Sequence, residues 1–264
     1  MDLVFPAWTP GCLNLVDALP AVAAQGVARV EWGLGSAGYF DEGDPADVAA
    51  VRAALDQTGV RACTLHSRFG EGADLASLDP AVRRATVATH LDAINTARQV
   101  GARYLVLHAG HGPGGDRVAE RLAHARDGLR ALEPAARMAG VVLALENLPP
   151  SYPGSTAADL LDLLNAVGSP CLGICFDTGH AHLTGDLPGM ARALLPHAVT
   201  MHLHDNDGKS DQHLLPGQGS IDWIEFARLY RETGCTALAM LECAPPDGWT
   251  WDRCEAAVRA VLGE

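Results

Sequence analysis

Short apolar runs alternate with longer amphipathic ones along the whole chain. Eight short runs have the length and composition of buried strands: Leu3–Trp8, Arg29–Leu34, Arg61–Ser67, Tyr104–Gly110, Val141–Leu148, Leu172–Asp177, Ala198–Asp205 and Leu238–Ala244. Each is followed by a stretch with the period of an amphipathic surface helix. The clearest runs from Pro80 to Val100, where Val82, Ala85, Ala88, Leu91, Ile94 and Ala97 share one face and Arg83, Arg84 and Asp92 lie on others. Pro80 at its start and Gly101 just past its end punctuate that helix. Strands alternating with helices imply a parallel sheet of βαβ units. Eight units in 264 residues predict an α/β protein, a closed (β/α)8 TIM barrel forming a single domain over residues 1–264. No Gly-x-Gly-x-x-Gly follows the first strand, which removes the main reason to prefer an open dinucleotide-binding sheet. Gly112-Pro113-Gly114-Gly115 lacks the Lys-Ser/Thr ending of a phosphate-binding loop and reads as a flexible strand-to-helix connection.

Catalytic groups of such barrels project from the C-terminal ends of the strands. Polar residues that break those ends are therefore the candidates for chemistry. The third strand ends Cys63-Thr64-Leu65-His66, the fourth Leu105-Val106-Leu107-His108 and the fifth Leu143-Ala144-Leu145-Glu146-Asn147. The sixth ends Phe176-Asp177-Thr178-Gly179-His180, the seventh reads His202-Leu203-His204-Asp205, and the eighth ends Met240-Leu241-Glu242. Six successive strands thus place a carboxylate or imidazole at one height. Taken singly, a strand-end His is more often hydrogen-bonded structure than a ligand, and a lone Glu can pair with a buried Arg. Together they predict a metal centre, because carboxylates buried side by side repel unless a cation neutralises them. Asp211 and His213, in the loop after the seventh strand, extend the set. His182, His204, Asp205 and Asp207 are placed to orient ligands. His90 and His124, inside helices, read as surface residues, and His197 precedes the seventh strand at the wrong end.

Charge changes the picture of partners. With 19 basic against 32 acidic residues the net charge is −13, so the basic face that grips a phosphate backbone is not expected and nucleic acid is disfavoured. No apolar stretch is long enough for a membrane span, and the start of the chain lacks the basic region of a secretory signal, so a cytoplasmic protein is expected. Seven scattered cysteines without a Cys-x-x-Cys pair read as small buried thiols in a reducing compartment, with Cys175 and Cys243 beside candidate ligands. A homo-oligomer is compatible with the sequence.

The segments Thr64-Leu65-His66, Leu107-His108-Ala109-Gly110, Leu145-Glu146-Asn147, Phe176–His180, His202–Asp205 and Asp211–Trp223 resemble the xylose isomerase-like superfamily. That group of barrels includes sugar phosphate isomerases and epimerases and the endonuclease IV family. The resemblance spans the third to the eighth strand. Its isomerase and epimerase members imply one divalent ion, often manganese, on residues matching Glu146, Asp177, His202 and Glu242, with the two glutamates moving protons. Its endonuclease IV members imply three zinc ions on residues matching His66, His108, Glu146, Asp177, His180, His202, Asp211, His213 and Glu242, and all nine are present.

Two mechanisms follow. In the first, a metal-dependent isomerase or epimerase acts on a small sugar or sugar phosphate. A cation polarises the substrate carbonyl, Glu146 and Glu242 transfer the proton, and the remaining histidines, with Arg68 or Lys209, bind hydroxyls or phosphate. Lyase chemistry on a keto-sugar is a variant of it. In the second, a multinuclear metallohydrolase acts on a phosphoester, with Glu146 bridging two ions and His180, Asp211 and His213 holding a third. A third reading is a barrel that keeps metal without turnover. The expected cofactor is zinc or manganese, one to three ions per chain, although such donor sets also accept cobalt and iron. Trp8, Trp32, Phe69 and Trp249 read either as an apolar substrate wall or as ordinary packing.

Overall fold

A computed structural model describes residues 1–7, 12–35 and 38–264. Trp8, the expected end of the first strand and part of the expected aromatic wall, lies outside the described residues. Eight parallel strands close into a barrel in chain order: β1 (Leu3–Pro6), β2 (Arg29–Gly33), β3 (Arg61–His66), β4 (Tyr104–His108), β5 (Val142–Glu146), β6 (Leu172–Asp177), β7 (Ala198–Leu203) and β8 (Leu238–Leu241). Around them run α1 (Leu15–Ala23), α2 (Pro45–Thr58), α3 (Pro80–Val100), α4 (Val118–Ala139), α5 (Ala157–Val167), α6 (Thr178–Leu183), α7 (Leu187–Leu194), α8 (Trp223–Glu232) and α9 (Trp251–Leu262). No helix among the described residues is long and apolar enough to cross a membrane.

Local chemistry sets the helix ends. Asp79 caps α3 by accepting from the Ala81 N–H at 2.7 Å, Pro80 opens it, and Gly101 closes it in the left-handed region at φ 81°. Its buried face, however, is not the expected one. Thr86, His90, Ala93, Ile94, Thr96, Ala97 and Val100 turn inward, while Ala85, Ala88 and Leu91 are exposed. The reason is polar satisfaction: Thr86 Oγ1 accepts from the Asp74 N–H at 2.9 Å, and the His90 imidazole meets Ser67 Oγ at 2.7 Å. His90 is therefore a core residue, whereas His124 is half-buried and His197 sits below β7 at the barrel's lower end.

Side chains along a strand alternate between faces, and this alternation stacks the barrel interior. Val106, Ala144 and Cys175 form a small apolar layer inside β4, β5 and β6. Two residues further along the same strands stand His108, Glu146 and Asp177. The apolar layer is the floor of the polar one. Elsewhere, the expected flexible connection at Gly112–Gly115 is tied down: the Arg121 guanidinium, buried with Asp74 at 3.0 Å, donates to the carbonyls of Gly112 and Pro113. Of the seven cysteines only Cys175, Cys243 and Cys254 are buried; four are half-buried and none is in a disulfide.

Candidate metal centre

Three local devices bring the polar residues together. First, β6 turns directly into α6: Asp177 is the N-cap, and its Oδ1 accepts the His180 N–H at 2.6 Å, which sets His180 beside it. Second, the Asn147 amide spans β5 and β6, donating to the Asp177 carbonyl at 2.9 Å and accepting the Asp177 N–H at 2.8 Å. Third, Asp205 folds the loop after β7 back over the barrel mouth. It accepts from the N–H groups of Asn206, Gly217 and Ile221 and from Trp223 Nε1, at 2.8–3.1 Å. Asp205 was expected to orient ligands directly; it faces the loop instead and acts by carrying Asp211 and His213 into place.

Four compact groups result, with potential ligand atoms all within 4.8 Å of one another: His66–His108–Glu146, Glu146–Asp177–His202–Glu242, Asp177–His180–His204 and His204–His213–Glu242. Glu146 sits at the centre. Its Oε2 accepts from His66 and His108, both at 3.1 Å, and its Oε1 lies 3.4 Å from His202 Nδ1 and His180 Nδ1. The expected third trio, His180, Asp211 and His213, is joined differently: Asp211 Oδ2 lies between the imidazoles, 3.3 Å from His180 and 3.2 Å from His213. His204 takes a more central place than expected, with Nε2 at 3.0 and 3.1 Å from the two Asp177 oxygens and its ring stacked on His213 at 4.0 Å.

The electrostatics are those of buried carboxylates held ionised by the imidazoles around them. Burial opposes charge on Glu146, but the nearby His202 and His108 outweigh it and hold the carboxyl well below its ordinary range. Burial likewise opposes Asp177, which His180 and His204 bring down to about 2. Burial lowers the histidines, yet their neighbours win: Asp177, Asp211 and Glu146 lift His180, and Cys175, Glu242, Glu31 and Glu146 lift His202, both well above the ordinary imidazole value, and Asp211 and Glu242 lift His213 to about 9. His108, where burial wins, is lowered.

The donor set fits a divalent cation on two counts. His66, His180 and His213 each donate Nδ1–H to a backbone carbonyl, of Ser67, Asn147 and Glu242, at 2.8, 2.9 and 2.8 Å, which leaves Nε2 facing the cluster. In addition, His204 Nδ1 and Glu242 Oε2 are buried without a hydrogen-bond partner among the described residues. Glu242 Oε2 lies 3.2 Å from His202 Nδ1, but off the line of an N–H.

The remaining predicted residues lie elsewhere. Arg68 turns away and pairs with Glu42 at 2.6 Å. Lys209 is exposed at a loop tip whose turn is closed by Asp207, which accepts the Lys209 N–H at 2.9 Å. His182 meets Ser220 Oγ at 2.8 Å, away from the cluster. Glu31, on β2, was not singled out from the sequence: it is buried, and its Oε1 accepts from His202 Nε2 at 3.1 Å. Only its position in a strand with period-two alternation, facing inward, could have flagged it.

Beside the cluster lies a cavity of about 500 Å³ bordered by Glu31, Trp32, Tyr39, His66, Phe69 and Glu242. Trp32 and Phe69 thus belong to its wall, while Trp249 lies under the Arg253 guanidinium at 3.9 Å. A larger hollow of about 690 Å³ at the barrel's other end, among Arg29, Arg61 and Arg103, touches none of the clustered side chains, so volume by itself does not locate the chemistry.

Residues 19–256 match the model of the xylose isomerase-like TIM barrel family. The chain belongs to that family. Among relatives of this xylose isomerase-like barrel, an uncharacterized protein of Methanocaldococcus jannaschii is 31% identical over 67% of the chain, which spans 63% of that relative's length. A protein of Methanoculleus marisnigri named probable endonuclease 4 is 29% identical over 77% of the chain and 78% of its own length. The solved structure of a D-tagatose 3-epimerase-like protein superposes with a TM-score of 0.85 at 25% identity, covering 100% of this chain and 96% of that one.

Proposed function

We propose that the chain is a metal-dependent epimerase or isomerase of a small, unphosphorylated sugar. The observation that carries this is the meeting of Glu146, at the end of β5, and Glu242, just after β8, with Asp177 and His202 at one point beside the cavity. The likeness to the D-tagatose 3-epimerase-like protein over the whole chain supports it. A divalent cation held by Glu146, Asp177, His202 and Glu242 would supply Lewis-acid polarisation of a substrate carbonyl and so acidify the adjoining C–H.

The chain's own groups divide the remaining work. The Glu242 side chain is a quarter exposed (25%) and borders the cavity, so it is placed to take the proton from the substrate carbon. Glu146, at 1% exposure, is enclosed by His66, His108, His180 and His202 and would pass to the substrate carbon a proton drawn from an imidazolium beside it, which the proton taken up by Glu242 replaces over the cycle. Phe69, stacked on His108 at 4.5 Å, offers an apolar face to the C–H side of a sugar ring or chain. Neither Lys nor Arg borders the cavity among the described residues, and Arg68 and Lys209 are directed elsewhere. That disfavours a phosphate ester.

The test is deuterium exchange. Protein reconstituted with manganese, cobalt or zinc is incubated in D2O with a panel of ketoses and their phosphates, and C–H signals are followed by NMR. Exchange next to the carbonyl, reduced by roughly 10²–10⁴ in Glu242→Gln and Glu146→Gln, is expected. No exchange with any sugar at any metal would end this reading.

A second group, His66–His108–Glu146, which shares Glu146 with the first, favours a second reading, a multinuclear phosphoesterase. The same preparations, assayed on a chromogenic phosphodiester, separate the two, since an epimerase leaves that compound intact.

A further inference from the structure

We propose that Glu31 is a positioning residue: it decides which nitrogen of His202 faces the cation, and the affinity of the centre depends on it. This rests on the reading of Glu146, Asp177, His202 and Glu242 as a cation site. The histidines of the cluster are oriented in two opposite ways. His66, His180 and His213 give their Nδ1–H to backbone carbonyls and present Nε2. His202 is reversed. Its Nδ1 lies 3.2 Å from Glu242 Oε2, 3.4 Å from Glu146 Oε1 and 3.9 Å from Asp177 Oδ2, while Nε2 points the other way and donates to Glu31 Oε1 at 3.1 Å.

The difference in partner matters. A backbone carbonyl is held by the strand or loop itself and survives side-chain changes. At Nε2 the orientation of His202 depends on a side chain from β2, 171 residues away in sequence, with the Cys175 thiol also reaching the ring. Both residues are almost fully buried, His202 at 0% and Glu31 at 2% exposure. Without Glu31 the neutral ring is free to hold its proton on Nδ1, which removes the lone pair from the cluster. A carboxylate acceptor also makes the imidazole a more basic ligand than a carbonyl does. Glu31 itself belongs to none of the compact ligand groups and stands behind His202, which makes it an orienting group and not a ligand.

The experiment compares Glu31→Ala and Glu31→Gln with the parent chain. Zinc and cobalt affinities are measured by competition with a chelating indicator, and metal-free thermal stability is measured alongside. In Glu31→Ala a loss of about 10–100-fold in affinity is expected, with metal-free stability lowered because a buried imidazole loses its partner. Glu31→Gln keeps an oxygen that accepts the Nε2–H and should stay within about 5-fold of the parent, a neutral acceptor being roughly half as strong as a charged one. Long-range 15N–1H spectra of zinc-loaded, 15N-histidine-labelled protein should show His202 protonated on Nε2 in the parent and in Glu31→Gln. Parent-like affinity in Glu31→Ala, equal losses in both variants, or a zinc-loaded parent with His202 protonated on Nδ1 would each overturn the proposal. If Glu31→Ala does not fold, the parent and Glu31→Gln spectra still decide it. Failure of the cation reading looks different: the parent chain then binds neither metal, which overturns both.

Discussion

Gly179 has no room for a methyl group, and replacing it by alanine tests how tightly the centre is built. A Cβ at this position would lie 2.0 Å from His204 Cε1, 2.4 Å from Nδ1 and 2.6 Å from Nε2. Ordinary contact begins near 3.4 Å, so the ring must retreat by about 1.4 Å. It cannot do so cheaply: His204 is fully buried, its Nε2 is held by both Asp177 oxygens and its ring lies parallel to His213 at 4.0 Å. Overpacking of this kind costs about 1–3 kcal/mol, and weakening the bond to a charged carboxylate adds about 1.5–3. Alanine's better helix propensity returns at most about 1 kcal/mol. The net expectation is a loss of about 3 kcal/mol, roughly 6–12 °C in Tm for a chain of this size. Calorimetry on the metal-free protein measures it, and zinc titration should show weaker binding. In the double variant Gly179→Ala/His204→Ala the clash is gone, so the two changes should couple by about 1–3 kcal/mol. A Gly179→Ala protein within 0.5 kcal/mol of its parent, or costs that simply add, would refute the reasoning.

Two further predictions follow from the same structure. Burial, then the charges of His108 and His66, pull His90 down to about 4, so it is neutral in the folded chain. The unfolded chain takes up this proton below about 6.5 and the folded one only near 4, so stability is full above about pH 6.5 and falls by about 3 kcal/mol as pH drops to about 4. The difference in Tm between the parent and His90→Gln, followed from pH 7.5 to 4.5, should show that slope; a flat difference would contradict it. Asp205→Ala removes the acceptor of four N–H groups and should cost about 3–5 kcal/mol while opening residues 206–221 to hydrogen exchange and protease. Protection of that loop equal to the parent's would show that the carboxylate is not its anchor.

What was legible in the chain was what local chemistry controls. All eight strands start within one residue of their expected positions, and the helix Pro80–Val100 has its expected limits, because alternation, an Asp-Pro opening and a Gly stop act over a few residues. The strand-end polar cluster was legible for the same reason: His108, Glu146 and Asp177 follow inward-facing apolar residues by two positions. Only the tertiary structure decided which polar residues meet. Nothing near Arg68 in sequence shows that Glu42 will claim it, and Lys209 became a loop tip once Asp205 had folded the segment after β7. The inward face of α3 was set by Ser67 and Asp74 reaching His90 and Thr86, which outweighed a count of apolar positions. Glu31 looks like any acidic residue in a short strand until barrel closure brings His202 to it. Periodicity fixes the height and face of a side chain on its own strand, whereas its partner across the barrel depends on closure, and closure depends on every strand at once.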